Sequence, residues 1–140
     1  MAIQFFFQDV KISLSQRKKL KACIESIFKN EGKPPPVINY VFCTDQFLLE
    51  MNQRFLKHDY YTDIISFSLS ETARQIEGEI YISIDRIREN AQKLHLTLHK
   101  ELHRVIFHGA LHLCGYKDKS EKEKKAMTAA ENKYLKLYFK

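Results

Sequence analysis

The sequence predicts a single α+β domain over residues 1–140, with a mixed sheet of about four strands and one central helix. Short segments rich in β-branched and aromatic residues alternate with longer segments whose apolar residues recur every three or four positions, which is typical of half-buried helices. The last two β-rich segments are separated only by a short polar link, which favours an antiparallel hairpin. The predicted order of elements is therefore β-α-β-α-β-β-α-α-α.

The four strands are predicted from β-rich segments at residues 3–10, 37–42, 64–69 and 78–84. After the first strand, Ser13 or Ser15 can cap a helix that continues to about Asn30. Gly32 and the three prolines at residues 34–36 end this helix, because proline cannot continue the helical hydrogen bonding. The chain is therefore expected to enter its second strand directly after the prolines.

The later helices are predicted from polar caps and apolar stripes. Their candidate caps are Thr44 or Asp45, Asp85, Thr97 and Ser120. The short helix after the second strand is expected to give way to a polar loop over residues 52–63, and the last helix to run over about 121–138. The helix that begins after Thr97 is the most apolar of them, and is expected to be central. Its predicted buried side contains Leu102, Val105, Ile106, Gly109 and Leu113.

Charge and composition restrict the class of protein without identifying it. The chain has 23 lysines and arginines against 17 aspartates and glutamates, a net charge of +6, which permits a polyanionic partner. No segment resembles a signal peptide, and no apolar run approaches the roughly 20 residues that cross a bilayer. Cys23, Cys43 and Cys114 are widely spaced, which is typical of reduced thiols. We therefore expect a cytoplasmic protein that has no membrane partner.

One segment, residues 108–118, contains a metal-binding pattern. His108 and His112 are four residues apart, so a helix would place both imidazoles on one face. Gly115 can end that helix in a left-handed turn, after which the chain could fold back and bring Asp118 to the same site. Two histidines and one carboxylate, with a fourth position open, are the ligand set of a catalytic zinc centre, although a histidine pair at this spacing also arises by chance. Three further histidines are expected to face solvent or to bond locally: His95, His99 and His103.

The ligand spacing resembles that of the metzincin proteases, but Gly109 replaces the glutamate that serves those proteases as general base. The whole segment is more similar to the signature of the YbeY family, which are bacterial metal-dependent endoribonucleases. Three further blocks agree with that family in the same order: residues 49–52 with 59–67, residues 78–83, and residues 127–131. The resemblance therefore extends over most of the chain.

The resemblance implies a basic cleft and one zinc ion per chain, held by His108, His112 and Asp118. The two histidines would then act in catalysis through the metal. The resemblance also implies that the substrate is RNA, chiefly the maturing end of small-subunit ribosomal RNA, and that the ribosome or its assembly factors are partners. Glu131 on the last helix is either a hydrogen-bond partner of this site or a solvated acid, and Cys114 is expected to be an inert buried thiol.

The chain departs from the family pattern at three positions. Asp118 stands where the family usually has a third histidine, and Lys117 stands where it usually has an aspartate. Lys117 is therefore either an RNA phosphate contact or an exposed turn residue. Leu56 stands where an arginine thought to be important for activity is common. Its neighbours Lys57 and His58 are candidates for that catalytic role, and Lys57 also for RNA binding, with a solvated loop as the alternative interpretation.

Three functional hypotheses follow. The first is a zinc-dependent, single-strand-type endoribonuclease that acts in ribosomal RNA processing, ribosome assembly and quality control. The second is a ribosome-assembly binding factor whose zinc is mainly structural, which the loss of the arginine at Leu56 favours slightly. The third is a small metalloprotease, which Gly109 disfavours because no glutamate adjoins the first histidine.

Overall fold

The computed structural model describes residues 2–58, 60–70, 72 and 74–140, and its strands and helices form one α+β domain. The elements are β1 (Ile3–Phe7), α1 (Arg17–Asn30), β2 (Pro36–Cys43), α2 (Asp45–Leu56), β3 (Ile64–Ser68), β4 (Ile76–Ser83), α3 (Ile84–Lys93), α4 (Leu98–Leu113) and α5 (Glu121–Tyr138). Their order and the fold class are those predicted from the sequence. Within the part of the chain that is described, no helix combines the length and apolar character needed to span a membrane.

The sheet has the strand order β1-β2-β4-β3. β1, β2 and β4 are parallel, whereas β3 is antiparallel to β4, so the predicted hairpin and the mixed sheet are confirmed. β3 therefore forms one edge of the sheet and β1 the other.

Helices cover both faces of this sheet. The larger hydrophobic cluster joins α1, α3, α4 and α5 to the sheet, and a smaller cluster joins α2 to the opposite face. The alternation of β4 illustrates this division, because Ile80 and Ile82 belong to the larger cluster whereas Tyr81 packs against the smaller one. The core therefore lies mainly between the sheet and α4.

Two predicted boundaries near the N-terminus are wrong. α1 begins after Gln16, which adopts a left-handed conformation and makes no side-chain cap, so neither Ser13 nor Ser15 is the cap. Leu14, which lies between the two serines, is buried in the core and sets the path of the chain before the helix. β1 ends at Phe7, just before Asp9 turns the chain with a φ of 55°.

The other caps follow the sequence closely. Thr44, Thr97 and Ser120 cap α2, α4 and α5, and Ser120 forms the expected capping box. α3 differs, because its cap is Ser83, while Asp85 accepts a hydrogen bond from the backbone N–H of Asp45 at 2.8 Å. α2 also continues to Leu56, although the sequence predicted a loop from residue 52.

α4 lies unusually close to the sheet. A Cβ atom on Gly109 would lie 3.0 Å from side-chain atoms of Ile64 and Ile80, and a Cβ on Gly78 of β4 would lie 2.7 Å from Leu113. Both glycines therefore allow the backbones of α4 and the β3–β4 hairpin to approach each other. This packing places the C-terminal half of α4 beside the β3 edge.

Candidate metal centre and cleft

Three potential metal ligands converge at the C-terminal end of α4. The Nε2 atoms of His108 and His112 lie 3.3 Å and 3.4 Å from the Oδ2 atom of Asp118. Candidate ligand atoms of the three residues all lie within 4.8 Å of one another. The sequence prediction that these residues come together is therefore consistent with the structure.

The turn after α4 brings the aspartate to this position. Gly115 has a φ of 104° and donates its N–H to the carbonyl of His112, while the N–H of Tyr116 bonds to the carbonyl of Leu111. These two bonds form a Schellman motif, which ends a helix and reverses the chain. The loop that follows carries Asp118 back to the two histidines.

Hydrogen bonds from the Nδ1 atoms fix the orientation of both imidazoles. His108 donates from Nδ1 to the Oε2 atom of Glu131 on α5. His112 donates from Nδ1 to the backbone carbonyl of Tyr116 at 2.9 Å. With Nδ1 protonated, each Nε2 atom keeps its lone pair, and both lone pairs are available on the side that Asp118 occupies.

Glu131 is itself part of a buried ion-pair network. Arg104 donates to its Oε1 atom at 3.1 Å and makes a two-pronged contact with Glu101 at 2.7 Å and 2.6 Å. Glu101 is fully buried and Glu131 is nearly so. Arg104 therefore bridges the two carboxylates and holds Glu131 in position beneath His108.

The donor set fits a small divalent ion. In a tetrahedral zinc site the ligand atoms lie about 2.0–2.2 Å from the ion, which places neighbouring ligand atoms roughly 3.4 Å apart. The two separations between histidine nitrogen and aspartate oxygen agree with that spacing. The three residues can therefore hold a metal and leave a fourth position open.

The position after His108 has no room for a protease-type general base. Gly109 lies against Ile64 and Ile80, so a glutamate side chain there would enter the interface between helix and sheet rather than the metal site. This packing disfavours a metzincin-like protease, as Gly109 did in the sequence.

A cleft of about 600 Å³ adjoins the centre along the β3 edge. His112 contributes the metal-side wall, and Lys119 contributes a cation from the loop before α5. The other lining residues are Asn52, Leu56, His58, Tyr60, Thr62, Ile64, Ile65, Ser66, Ser68 and Leu113. An extended ligand in this cleft would therefore pass beside the proposed metal.

Comparison with known proteins decides the family. The family model described as Endoribonuclease YbeY matches residues 3–138. The chain belongs to the YbeY family. It is 51% identical over 135 residues to "Endoribonuclease YbeY" of Cytophaga hutchinsonii, an alignment that covers 96% of this chain and 94% of that relative. It is 46% identical over 133 residues to the protein of the same name from Porphyromonas gingivalis W83, covering 95% and 87% of the two chains.

A solved structure also resembles this YbeY-family chain. The solution structure of TM1509 from Thermotoga maritima superposes with a TM-score of 0.65 at 31% sequence identity. The superposition covers 98% of the present chain and 89% of the Thermotoga chain. The family resemblance found in the sequence is therefore confirmed by sequence and by fold.

The other predicted site residues of this YbeY chain fall into two groups, those that line the cleft and those that do not. Leu56 and His58 line the cleft, whereas Lys57 and Lys117 are exposed and are not among its lining residues. Lys57 instead ends α2 in a left-handed conformation. The sequence analysis missed Lys119, which does line the cleft.

Two further residues, on α4 and at its C-terminal end, are not among the candidate metal ligands. Burial raises the pKa of the Cys114 thiol to about 12, so it stays protonated, as the sequence analysis expected. His103 is buried, donates from Nδ1 to the carbonyl of His99 at 2.7 Å, and has no partner for Nε2 in the described residues. His95 and His99 are exposed.

Proposed function

We propose that this YbeY-family chain is a zinc-dependent endoribonuclease that hydrolyses phosphodiester bonds in single-stranded segments of RNA. The observation that carries the proposal is the convergence of His108, His112 and Asp118 beside a cleft that contains Lys119. Curated relatives at 38–51% identity are named Endoribonuclease YbeY, which supports RNA as the substrate class.

The residues of the chain have distinct roles in this proposal. One bound zinc ion would supply Lewis acidity to a water molecule or a phosphate oxygen. Glu131 and the Tyr116 carbonyl hold His108 and His112 in the tautomer that offers Nε2 to the metal. Lys119 offers a cation to a phosphate inside the cleft.

Three further residues retain the roles proposed from the sequence. We propose that Lys57 and Lys117 contact RNA phosphates outside the cleft, since both are exposed on segments next to cleft residues. We also propose that Lys57 or His58 supplies the catalytic contact that an arginine at Leu56 would have made. His58 is the better placed of the two, because it lines the cleft.

We propose ribosomal RNA as the main substrate, chiefly the maturing 3′ end of the small-subunit RNA, and the ribosome or its assembly factors as partners. The net charge of +6 supports a polyanionic partner. We also propose a cytoplasmic location, which the three free thiols of Cys23, Cys43 and Cys114 support.

The decisive experiment combines zinc content with RNA cleavage. Protein purified without chelator should contain one zinc per chain and should cut single-stranded RNA until a chelator removes the metal. His112→Ala should lose both properties, and Asp118→Ala should weaken zinc binding. His95→Asn is the matched control, because His95 is exposed and lies away from the cleft in a turn with a φ of 55° that asparagine tolerates. Protein that takes up no zinc would refute the metal site.

A second candidate function is supported by Leu56. Its side chain is 40% exposed and lines the cleft, so the cleft presents an apolar group where the family commonly has a cation. On this alternative the chain is a ribosome-assembly factor with a mainly structural zinc. Zinc-loaded protein would then bind ribosomal particles without cutting RNA, and His112→Ala would keep that binding.

A further inference from the structure

Two stacked aromatic rings stand at the cleft. His58 and Tyr60 both line it, their ring centroids are 5.1 Å apart, and their planes differ by 20°. The Tyr60 hydroxyl and the Nδ1 atom of His58 also form a 3.0 Å hydrogen bond. The two rings therefore form one stacked and hydrogen-bonded pair.

His58 and Tyr60 are both hydrogen-bonded to Asn52, a buried residue of α2. Asn52 is 2% exposed, and its Nδ2 atom donates to the backbone carbonyl of Tyr60 at 2.8 Å. The backbone carbonyl of Asn52 also accepts the N–H of His58 at 3.1 Å. This explains why α2 continues past residue 52 with a polar side chain on its buried side.

Tyr61, the residue after Tyr60, is held by a contact of its own. The guanidinium of Arg86 on α3 lies over the ring of Tyr61, 4.7 Å from its centroid. Arg86 is in turn held by Asp45 through hydrogen bonds of 3.1–3.2 Å. Asn52 therefore holds the backbone of Tyr60 directly, and Arg86 holds the residue that follows it.

Tyr60 nevertheless remains 56% exposed. An exposed aromatic ring in a fixed position loses little conformational entropy when a ligand stacks on it. The charge of the cleft favours an anionic ligand, because its described lining contains Lys119 and no acidic side chain. The surface therefore suits a flat group attached to an anionic backbone.

We propose that the His58–Tyr60 ring pair is a stacking platform for one unpaired nucleobase, next to the phosphodiester that lies at the metal centre. An RNA base within a duplex has both faces occupied by its neighbours, whereas a base in a single strand can stack on a protein ring. Tyr60 is thus a specificity-determining residue for unpaired RNA. The proposal rests on the proposed function for the identity of the ligand.

The test removes first the ring of Tyr60 from the protein and then one base from the RNA. The substrate is a short unpaired RNA oligonucleotide, compared with versions that each lack one base while keeping the ribose and phosphate. Base–aromatic stacking corresponds to a change in affinity of about 5- to 160-fold, so Tyr60→Ala should raise KM for the intact RNA by that factor with little change in kcat. Removing the stacked base from the RNA should raise the KM of the unsubstituted protein by a similar factor. On that base-deleted RNA, Tyr60→Ala should raise KM by less than about twofold more.

Two variants control for effects on folding and on the hydroxyl. Tyr60→Phe keeps the ring, and should retain the affinity for intact RNA. Phe6→Ala removes an exposed ring from β1 at the opposite edge of the sheet, and should leave KM unchanged. Zinc content and melting temperature should be the same in all three variants.

The outcomes separate this proposal from the proposed function. If the unsubstituted protein cuts RNA, and Tyr60→Ala either leaves KM unchanged or raises it equally for intact and base-deleted RNA, the platform is refuted while the nuclease stands. If no RNA is cut, the endoribonuclease proposal fails. The same comparison made with equilibrium binding then decides the platform by the same criterion, with Kd in place of KM.

Discussion

Each imidazole of the proposed metal site depends on an acceptor outside its own helix. His108 bonds to a carboxylate on α5, and His112 bonds to a carbonyl in the loop after α4. Neither acceptor would touch the metal. Metal affinity should therefore be sensitive to residues that are not ligands.

Glu131→Gln should weaken zinc binding by about 10- to 100-fold, because a neutral amide is a poorer acceptor for the Nδ1 proton of His108. Arg104 keeps its two-pronged contact with Glu101 in this variant, so the fold should survive. Competition with a fluorescent zinc chelator measures the change. Glu25→Gln, an exposed carboxylate on α1, is the control. Unchanged zinc affinity would contradict the role given to Glu131.

The lowered pKa of His103 should make the free energy of unfolding depend on pH. Burial lowers its pKa from 6.5 to about 4, so the folded protein keeps this ring neutral while the unfolded chain takes up a proton below about pH 6.5. Stability should therefore fall as the pH drops from about 6.5 to about 4, by at most roughly 3 kcal/mol from this group. The neighbouring His99 ring and the Lys19 ammonium further oppose its protonation.

Urea unfolding of the wild type and of His103→Phe across this pH range isolates the contribution of His103. Ionisable groups that do not interact with His103 are common to both proteins, so their effects cancel in the difference. The free energy of unfolding of His103→Phe relative to the wild type should rise as the pH falls. A difference that is independent of pH would show that His103 does not titrate with a lowered pKa.

At the scale of helices and strands, the sequence predicted the start of the helix correctly for α4 and α5, where the capping residue and the backbone N–H that it binds are close in sequence. Thr97 and Ser120 cap the helices predicted for them, since each cap bonds to a backbone N–H three residues ahead. The sequence failed where a polar residue serves a distant element. Asp85 resembles a cap but binds the start of α2, and Asn52 resembles a helix end but anchors the Tyr60 loop.

The glycines that follow α1 and α4 can be compared in one experiment, because both end a helix with a positive φ. Gly115 and Gly32 both have positive φ, at 104° and 70°, and a Cβ atom at either would meet no neighbour within 4 Å. Alanine at either position should therefore destabilise the fold by about 1–2 kcal/mol, through backbone strain alone.

Gly115→Ala should also lower zinc affinity, and by more than Gly32→Ala, because the Gly115 turn delivers Asp118 directly whereas the Gly32 turn carries no candidate metal ligand. Thermal unfolding and zinc titration of the two variants test this together. Equal zinc affinity in both would refute the view that the Gly115 turn positions the third ligand.

At the scale of the whole molecule, one carboxylate connects three parts of the fold. Glu31, directly after α1, accepts hydrogen bonds from the hydroxyls of Tyr116 at 2.8 Å and Tyr134 at 3.0 Å. Tyr116 is also the residue whose carbonyl holds His112. Contacts of this kind join residues far apart in the chain. This is why the convergence of His108, His112 and Asp118 could be predicted from local spacing, whereas the parts played by Glu31 and Arg104 could not.

Glu31→Ala should destabilise the protein by about 1–3 kcal/mol, since it leaves two partly buried hydroxyls without their acceptor. It should also weaken zinc binding, because the loop that contains Tyr116 loses its tie to α1. Tyr116→Phe should reproduce part of both effects, and the double variant should be less impaired than the sum of the single ones. Strict additivity, measured by unfolding and zinc titration, would contradict this coupling.

The position of Glu131 on the last helix of the fold also has a consequence for timing during synthesis. Because translation proceeds from the N-terminus, His108, His112 and Asp118 leave the ribosome before the carboxylate that orients His108. A nascent chain that stops short of α5 lacks both that carboxylate and the helix that covers α4. A nuclease whose proposed substrate is the RNA of the ribosome would thus acquire its complete site only after α5 has been synthesised.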